Sequence, residues 1–264
     1  MKLPPLVDIH CHLLPGIDDG ATGPDESLAM AAMAADDGIG VIVATPHQLG
    51  NHAGNRGESI RARVAELQQA IDDRGLPLSV LPGADVRIES DLVEKILSGE
   101  VLSLADRRRH VLLELPHELY LPLDRVLDAL HAEGMVGILS HPERNLGILR
   151  RPEVLPPLVR AGCLMQITAG SLTGCFGSRV QEFSELLLRQ GLVHFVATDA
   201  HSTGARCPKL SAAFHRVATI AGKKSAVALC SHNPARVVTG AAVPTARSRP
   251  KQKTWGGWFW RKAA

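Results

Sequence analysis

The sequence predicts an α/β fold in which parallel strands alternate with helices in a single barrel-like domain. Seven short apolar runs, at about 6–11, 39–45, 78–84, 110–115, 136–140, 163–168 and 194–199, are continuous rather than alternating. That is the pattern of strands buried on both faces. Amphipathic stretches with helix start and stop signals separate them, and composition does not break before about residue 240. One uninterrupted block of alternating strand and helix favours one β/α domain over two.

Pro24-Asp25-Glu26 opens the first helix, with acids in the turn where the dipole favours them, and Gly38 closes it. Glu58 to Arg74 has helical apolar spacing, with Gly75 just past its end. Ser90-Asp91 begins a shorter helix, Asp124 to Glu133 stops at Gly134, and Arg151-Pro152-Glu153 starts one that Gly162 ends. Arg179 to Gln190 stops at Gly191, and Lys209 to Ala221 at Gly222. Asn233-Pro234 reads as the cap and first turn of a last helix. A doubly wound open sheet is the structural alternative. No G-x-G-x-x-G or P-loop follows any run, which removes that fold's usual nucleotide chemistry.

With 264 residues, 45% hydrophobic but 3% aromatic, the chain can bury a large core of mainly aliphatic side chains. No apolar run reaches the ~18 residues of a membrane span. The start MKLPPLVDIHC lacks the charged and apolar regions of a signal peptide. Five scattered cysteines (Cys11, Cys163, Cys175, Cys207, Cys230) without CxxC spacing read as reduced thiols, so a cytoplasmic protein is expected. The net charge of +2 hides an asymmetry: residues 246–264 carry six Lys/Arg and no acid, leaving 23 basic against 27 acidic residues elsewhere. A mildly acidic body fits nucleic acid poorly, and no such partner is expected.

Chemistry-bearing residues gather where the runs end. Side chains in a strand alternate with a period of two, so His10 and His12 point to one side. Asp199 and His201 repeat the device in Thr198-Asp199-Ala200-His201. The other runs lead into Asp18-Asp19-Gly20, Thr45-Pro46-His47, Gly83-Ala84-Asp85, Leu113-Glu114-Leu115 and Ser140-His141-Pro142-Glu143-Arg144. In a β/α barrel, functional residues come from these C-terminal ends of the strands. A carboxylate such as Glu114 inside an apolar run is costly unless paired or metal-bound. Alone it reads equally well as half of a buried ion pair. Nine nitrogen- or oxygen-bearing residues obey the same rule: His10, His12, Asp19, His47, Asp85, Glu114, His141, Asp199 and His201. Cys11 points away from them. Such a set suits two or three divalent ions (Mn, Fe, Zn or Mg) rather than a structural cysteine zinc site.

The ordered motifs D-I-H-C-H, T-P-H-Q at 45–48, G-A-D at 83–85, L-L-E-L at 112–115, H-P-E-R-N at 141–145 and T-D-A-H at 198–201 resemble the PHP (polymerase and histidinol phosphatase) metallo-hydrolases. I-D-D-G after the first motif, and T-D-x-H-x-x-x-x-R late in the chain, are similar to the bacterial tyrosine-protein phosphatases of capsule and exopolysaccharide systems. The resemblance spans about residues 6 to 240. It implies a distorted (β/α)7 TIM-like barrel with three metals, often manganese. By position, it implies His10, His12 and Asp199 on one outer metal, Glu114 and His141 on the second with Asp85 bridging the two, and Asp19, His47 and His201 on the third. Asp85 stands where the family usually has Glu, one methylene longer. Gln48 stands where a basic residue is common.

Clustered divalent ions lower the pKa of a bridging water and neutralise an attacked phosphoryl oxygen, supplying a nucleophile without cysteine. Arginine matches phosphate oxygens bidentately. Arg144 and Arg206 lie on the loops where a substrate would rest, so they and Asp199 are the expected catalytic residues. Cys230-Ser-His-Asn-Pro-Ala-Arg236 has the C-x5-R spacing of cysteine-dependent phosphatases. It follows a helical segment and has no glycine for close phosphate approach, so it is set aside. The Gly170–Gly177 loop reads equally well as a lining of the substrate mouth or as a plain surface loop; His52, His117 and Arg56 are read as rim, and His110, His131, His194, His215 and His232 as background.

Residues 241–264 form a basic tail ending Trp255-Gly-Gly-Trp-Phe-Trp260-Arg-Lys, with disorder as the default expectation. Indoles beside cations also suit a bilayer interface, so peripheral membrane contact is a second expectation. The expected activity is hydrolysis of phosphotyrosine on the tail of a polysaccharide-regulating tyrosine kinase. The alternatives are a small phosphate ester such as histidinol phosphate, and a catalytically silent metal-binding scaffold. Homo-oligomerisation is open.

Overall fold

All strand pairs among the described residues are parallel, and they form a three-stranded and a six-stranded sheet. The structure, a computed structural model, describes residues 4–244. The Trp-rich end of the tail, on which the membrane expectation rests, lies outside the described residues. The strands are β1 (Leu6–Cys11), β2 (Ile39–Ala44), β3 (His47–Gln48), β4 (Ser79–Pro82), β5 (Asp85–Arg87), β6 (His110–Glu114), β7 (Val136–Ser140), β8 (Leu164–Thr168) and β9 (Phe195–Ala197). Their order is β1-β2-β4 in one sheet and β3-β5-β6-β7-β8-β9 in the other. No topological reversal of the doubly wound kind occurs in this order.

Each of the seven runs holds one strand, and the structure adds two short strands that the sequence reading lacked. Just past the second and third runs, across Thr45-Pro46 and Gly83-Ala84, the chain leaves one sheet and adds β3 and β5 to the other. Pro46 has no N–H for a ladder, while its carbonyl accepts from the Asp85 amide at 3.2 Å. At Gly83 an added Cβ would lie 2.6 Å from Val43 Cγ1, so the crossing needs glycine. At the other margin the segment after β9 returns beside β1. Asp199 N donates to His10 O at 2.7 Å and His12 N to Ala200 O at 2.8 Å. The arrangement is a distorted, two-sheet version of the barrel-like order.

The strand periodicity that buries the core also aims the site. Leu112, Leu164 and Ala197 are fully or almost fully buried in one interior cluster with Phe195 and Ile138. Two residues further along stand Glu114 and Gln166 on the same strands, and Asp199 just past the end of β9. One face of each strand therefore carries aliphatic packing at depth and a polar group at its C-terminal end.

The helices follow the sequence with local differences, among them a short helix, Ala169–Leu172, where the Gly170–Gly177 loop was expected to begin. The expected 151–162 helix is a 3-10 turn (Pro152–Val154) running into Leu155–Arg160, and a short helix, Leu146–Arg150, precedes it. Asn145 caps that short helix by accepting from Ile148 N at 2.9 Å. The helix expected from Lys209 starts at Ser211, because Asp37, remote in sequence, accepts from Leu210 N at 2.6 Å and Ser211 N at 2.8 Å. Asn233 is not a cap: the chain stays helical through Ala228–His232 into Asn233–Thr239. Its amide instead donates to His194 O at 2.9 Å. No helix among the described residues is long and apolar enough to cross a membrane.

His194 is buried, and its Nδ1 accepts from Met165 N at 3.1 Å. Burial pushes its pKa down to about 4. The folded state therefore keeps this ring neutral where the unfolded chain, near 6.5, takes up a proton. Stability from this residue is complete above about pH 6.5 and declines as pH falls toward 4, by up to roughly 3 kcal/mol. His194→Asn keeps an acceptor at the same place. In metal-free protein, urea unfolding between pH 6.5 and 4 is expected to show the variant gaining stability relative to wild type as pH falls.

Candidate metal centre

All nine expected ligands converge where the strands end. His10 and His12 leave β1 with their Nε2 atoms 3.3 Å apart, as the period of two requires. Asp199 Oδ1 lies 3.2 Å from His10 Nε2 and 3.5 Å from His12 Nε2. Asp85, fully buried on β5, sets Oδ2 at 3.5 Å from His10, 3.7 Å from His47 and 4.0 Å from His141. Glu114 Oε2 is 3.6 Å from His47 Nδ1. Asp19, on the exposed loop after β1, places Oδ1 at 3.4 Å from His47 and 3.3 Å from His201. The backbone is left-handed at His141 (φ 31°) and Asp199 (φ 50°), a strained conformation for non-glycine residues that recurs at functional sites.

Four overlapping sets of ligand atoms lie within 4.8 Å of one another. They are His12, Asp19, His47 and His201; His10, His12 and Asp85; His10, His141 and Asp199; and His47, Asp85 and Glu114. Asp19, His47 and His201 come together as the resemblance implies, with His12 added. Glu114 groups with His47 and Asp85, and His141 with His10 and Asp199, while His141 Nε2 also lies 4.0 Å from Asp85 Oδ2.

The donors fit divalent cations on physical grounds. Both Asp85 oxygens are buried without a hydrogen-bond partner, in a ring of imidazoles. A carboxylate so placed carries a heavy desolvation penalty that a cation would offset. Burial pushes its carboxyl up, and the charges of His10, His141 and His47 overcome that, holding it at about 2. Burial likewise opposes charge on His12, yet Asp18 and Asp199 carry its pKa up to about 10. Desolvation drives His141 down to about 3. Asp199, buried among His10, His12 and Arg206, is held well below the usual carboxylate range despite its burial.

Both expected arginines meet at Asp199. Arg144 Nη1 donates to Asp199 Oδ2, and Arg206 Nη2 donates to the same oxygen at 2.7 Å and to the Asp199 carbonyl at 3.1 Å. One carboxylate thus turns Oδ1 to imidazoles and Oδ2 to guanidiniums. Arg144, Arg206, Ser140, His117 and the ligands Asp19, His47, Glu114, His141, Asp199 and His201 line an open cleft. His52 has its ring 5.2 Å from that of His47 and Arg56 is exposed beside Glu100, and neither of these two expected rim residues lines the cleft. Gln48 is a structural pin: its amide donates to Asn55 O at 2.6 Å and accepts from Leu102 N at 2.7 Å. Cys230 is buried, with its thiol pushed up to about 12, while Arg236 bonds Ala242 O; the C-x5-R spacing builds no phosphate loop.

Two residues that hold the ligands were missed in the sequence. Asp18 Oδ2 binds His12 Nδ1 at 2.8 Å and His47 N at 3.1 Å. Gln166 Oε1 accepts from His10 Nδ1 at 2.9 Å. Both leave Nε2 turned into the cluster of candidate ligands. The signals were present: a second carboxylate in D-D-G, and one amide inside the apolar run Leu-Met-Gln-Ile-Thr. Gly20 fits the same turn, since an added Cβ would lie 2.3 Å from His12 O. Groups that orient ligand imidazoles typically alter metal affinity by 10- to 100-fold. Asp18→Asn is expected to weaken metal retention by about that factor, read as metal content after competition with a graded chelator.

The sequence profile of the capsular polysaccharide synthesis family CpsB/CapC matches residues 6–239. Tyrosine-protein phosphatase YwqE of Bacillus subtilis (strain 168) is 37% identical over 203 residues, 76% of this chain and 79% of the relative. Tyrosine-protein phosphatase CpsB of Streptococcus pneumoniae is 25% identical over 238 residues, 88% and 98% of the two chains. A crystal structure from work on YwqE and CpsB, described as unique metal-dependent tyrosine phosphatases, superposes with a TM-score of 0.88. It is 31% identical and covers 94% of this chain and 100% of its own. With fold, ordered motifs and the profile over most of its length in agreement, this chain belongs to the CpsB/CapC family.

Proposed function

We propose that this protein is a metal-dependent protein-tyrosine phosphatase whose substrate is a phosphotyrosine segment of a capsule- or exopolysaccharide-regulating tyrosine kinase. The observation that carries the reading is the Asp199 carboxylate, joined on one side to His10 and His12 and on the other to Arg144 and Arg206, in one cleft. The relatives' description as tyrosine phosphatases and the family's link to capsular polysaccharide synthesis support the substrate class.

The residues proposed to hold two or three divalent ions, manganese foremost, are His10, His12, Asp19, His47, Asp85, Glu114, His141, Asp199 and His201. When bound, such ions activate water and neutralise charge on a phosphoryl group. The chain's own contribution is orientation and charge. Asp18 and Gln166 fix the faces of His12 and His10. Arg144 and Arg206, held through Asp199, present guanidinium N–H groups in the fork geometry that suits phosphoryl oxygens. Such donors act most strongly where charge develops in the transition state.

The test is phosphate release from a tyrosine phosphopeptide and from histidinol phosphate, using stripped protein reloaded with Mn, Fe, Zn or Mg. Turnover of the phosphopeptide is expected to require metal and to exceed that of histidinol phosphate. No release with any metal, despite metal uptake, would overturn the proposal. Arg144→Ala and Arg206→Ala are each expected to lower kcat/KM by about 10²- to 10³-fold. Cys230→Ser is expected to stay within about twofold of wild type, since no step here uses a thiolate.

A further inference from the structure

The two cleft arginines are anchored in different ways. Arg206 Nη2 bonds Asp199 twice, through Oδ2 and the main-chain carbonyl. The loop carrying it is closed by His201 N and Ser202 N, which donate to Arg206 O at 2.9 and 3.2 Å. Among the described residues, the guanidinium of Arg144 makes a single hydrogen bond, from Nη1 to Asp199. Its other support is apolar: its guanidinium carbon lies 4.3 Å from the centroid of the Phe176 ring.

Phe176 lies in the Gly/Ser/Thr-rich segment between the helices Ala169–Leu172 and Ser178–Arg189. Cys175 N donates to Gly170 O at 2.9 Å, folding the segment back on itself. A Cβ at Gly170 would lie only 3.1 Å from the Phe176 ring, so glycine there makes room for the ring beneath it.

We propose that Phe176 is a positioning residue for phosphate capture, its ring face and the Asp199 carboxylate together fixing the Arg144 fork toward the cleft. An arginine has several rotatable bonds to order before its planar fork can meet a tetrahedral anion. A second carboxylate would hold the guanidinium by occupying its N–H groups. An aromatic face attracts the cation through its quadrupole and occupies no edge donor, leaving those groups for phosphoryl oxygens. This inference rests on the proposed phosphatase activity, and its test is separable from that activity.

The experiment compares wild type with Phe176→Leu and Phe176→Tyr, in the manganese-loaded full-length protein and in the same protein carrying Arg144→Ala. Binding of inorganic phosphate is measured by calorimetry, and kcat and KM on a tyrosine phosphopeptide by phosphate release. Metal content and thermal midpoint are followed alongside. Leucine keeps the bulk without the ring face, so phosphate affinity is expected to fall by about threefold to thirtyfold. KM for the phosphopeptide is expected to rise with it, at unchanged metal content. Tyrosine is expected to hold phosphate within about twofold of wild type, and Phe176→Leu to add nothing once Arg144 is alanine. If Phe176→Leu does not fold, Phe176→Met, also without a ring, serves in its place. Equal losses for leucine and tyrosine, or the same loss with Arg144 absent, would overturn the inference. A wild-type protein that releases no phosphate from the peptide would count against the phosphatase activity. The phosphate-binding comparison reads Phe176 in either case.

Discussion

The Asp199 carboxylate is the interaction on which the rest of the site depends. Its Oδ1 faces the imidazoles of His10, His12 and His201, and its Oδ2 two arginines from separate loops. Buried charge is tolerated only when it is paired and hydrogen-bonded, and here five cationic or cation-capable groups answer one anion. The residue also closes the fold: its amide bonds the His10 carbonyl, joining the end of the last strand to the first. Its left-handed backbone, φ 50°, shows the geometric demand of serving both tasks.

Around that carboxylate, positioning is distributed over groups with no direct part in phosphate chemistry. Asp18 and Gln166 each take one nitrogen of a ligand histidine, leaving the other for the centre. Asp8, buried in β1, accepts from Thr198 N at 3.0 Å and from His10 N at 3.2 Å, tying the strands together just below the site. Asp85 is the exception. Its oxygens face the imidazoles of His10, His47 and His141 and lack hydrogen bonds, with Glu114 also close by. A buried carboxylate so placed has the surroundings that a cation would offset, although Asp is shorter than the Glu usual in the resembled family.

Much of this was legible in the sequence because both periodicities are local. Continuous apolar runs marked the strands, and a period of two placed His10 with His12 at the end of β1. Asp199 and His201 lie past the end of β9, and the left-handed backbone at Asp199 rather than strand alternation brings them together. What the sequence obscured follows from contacts between distant residues. Across Pro46 and Gly83 the chain passes from one sheet to add short strands to the other, because only the neighbouring strand decides whether an amide or a Cβ can be accommodated. Asp37 starts a helix more than 170 residues away, so Lys209 was a poor guide to where it begins.

By itself, then, the sequence determined the order of strands and helices, the ends of the strands that carry the chemistry, and the nine candidate ligands. Alternation and composition act within a few residues, so these features survive without knowledge of the fold. Tertiary structure alone decided which candidate ligands share a neighbourhood, as with Glu114 beside His47. It also decided that Arg144 and Arg206 share one oxygen and that Phe176 covers Arg144. Those relations depend on loops from separate strands meeting at distances of 3–4 Å, and no sequence spacing carries that information.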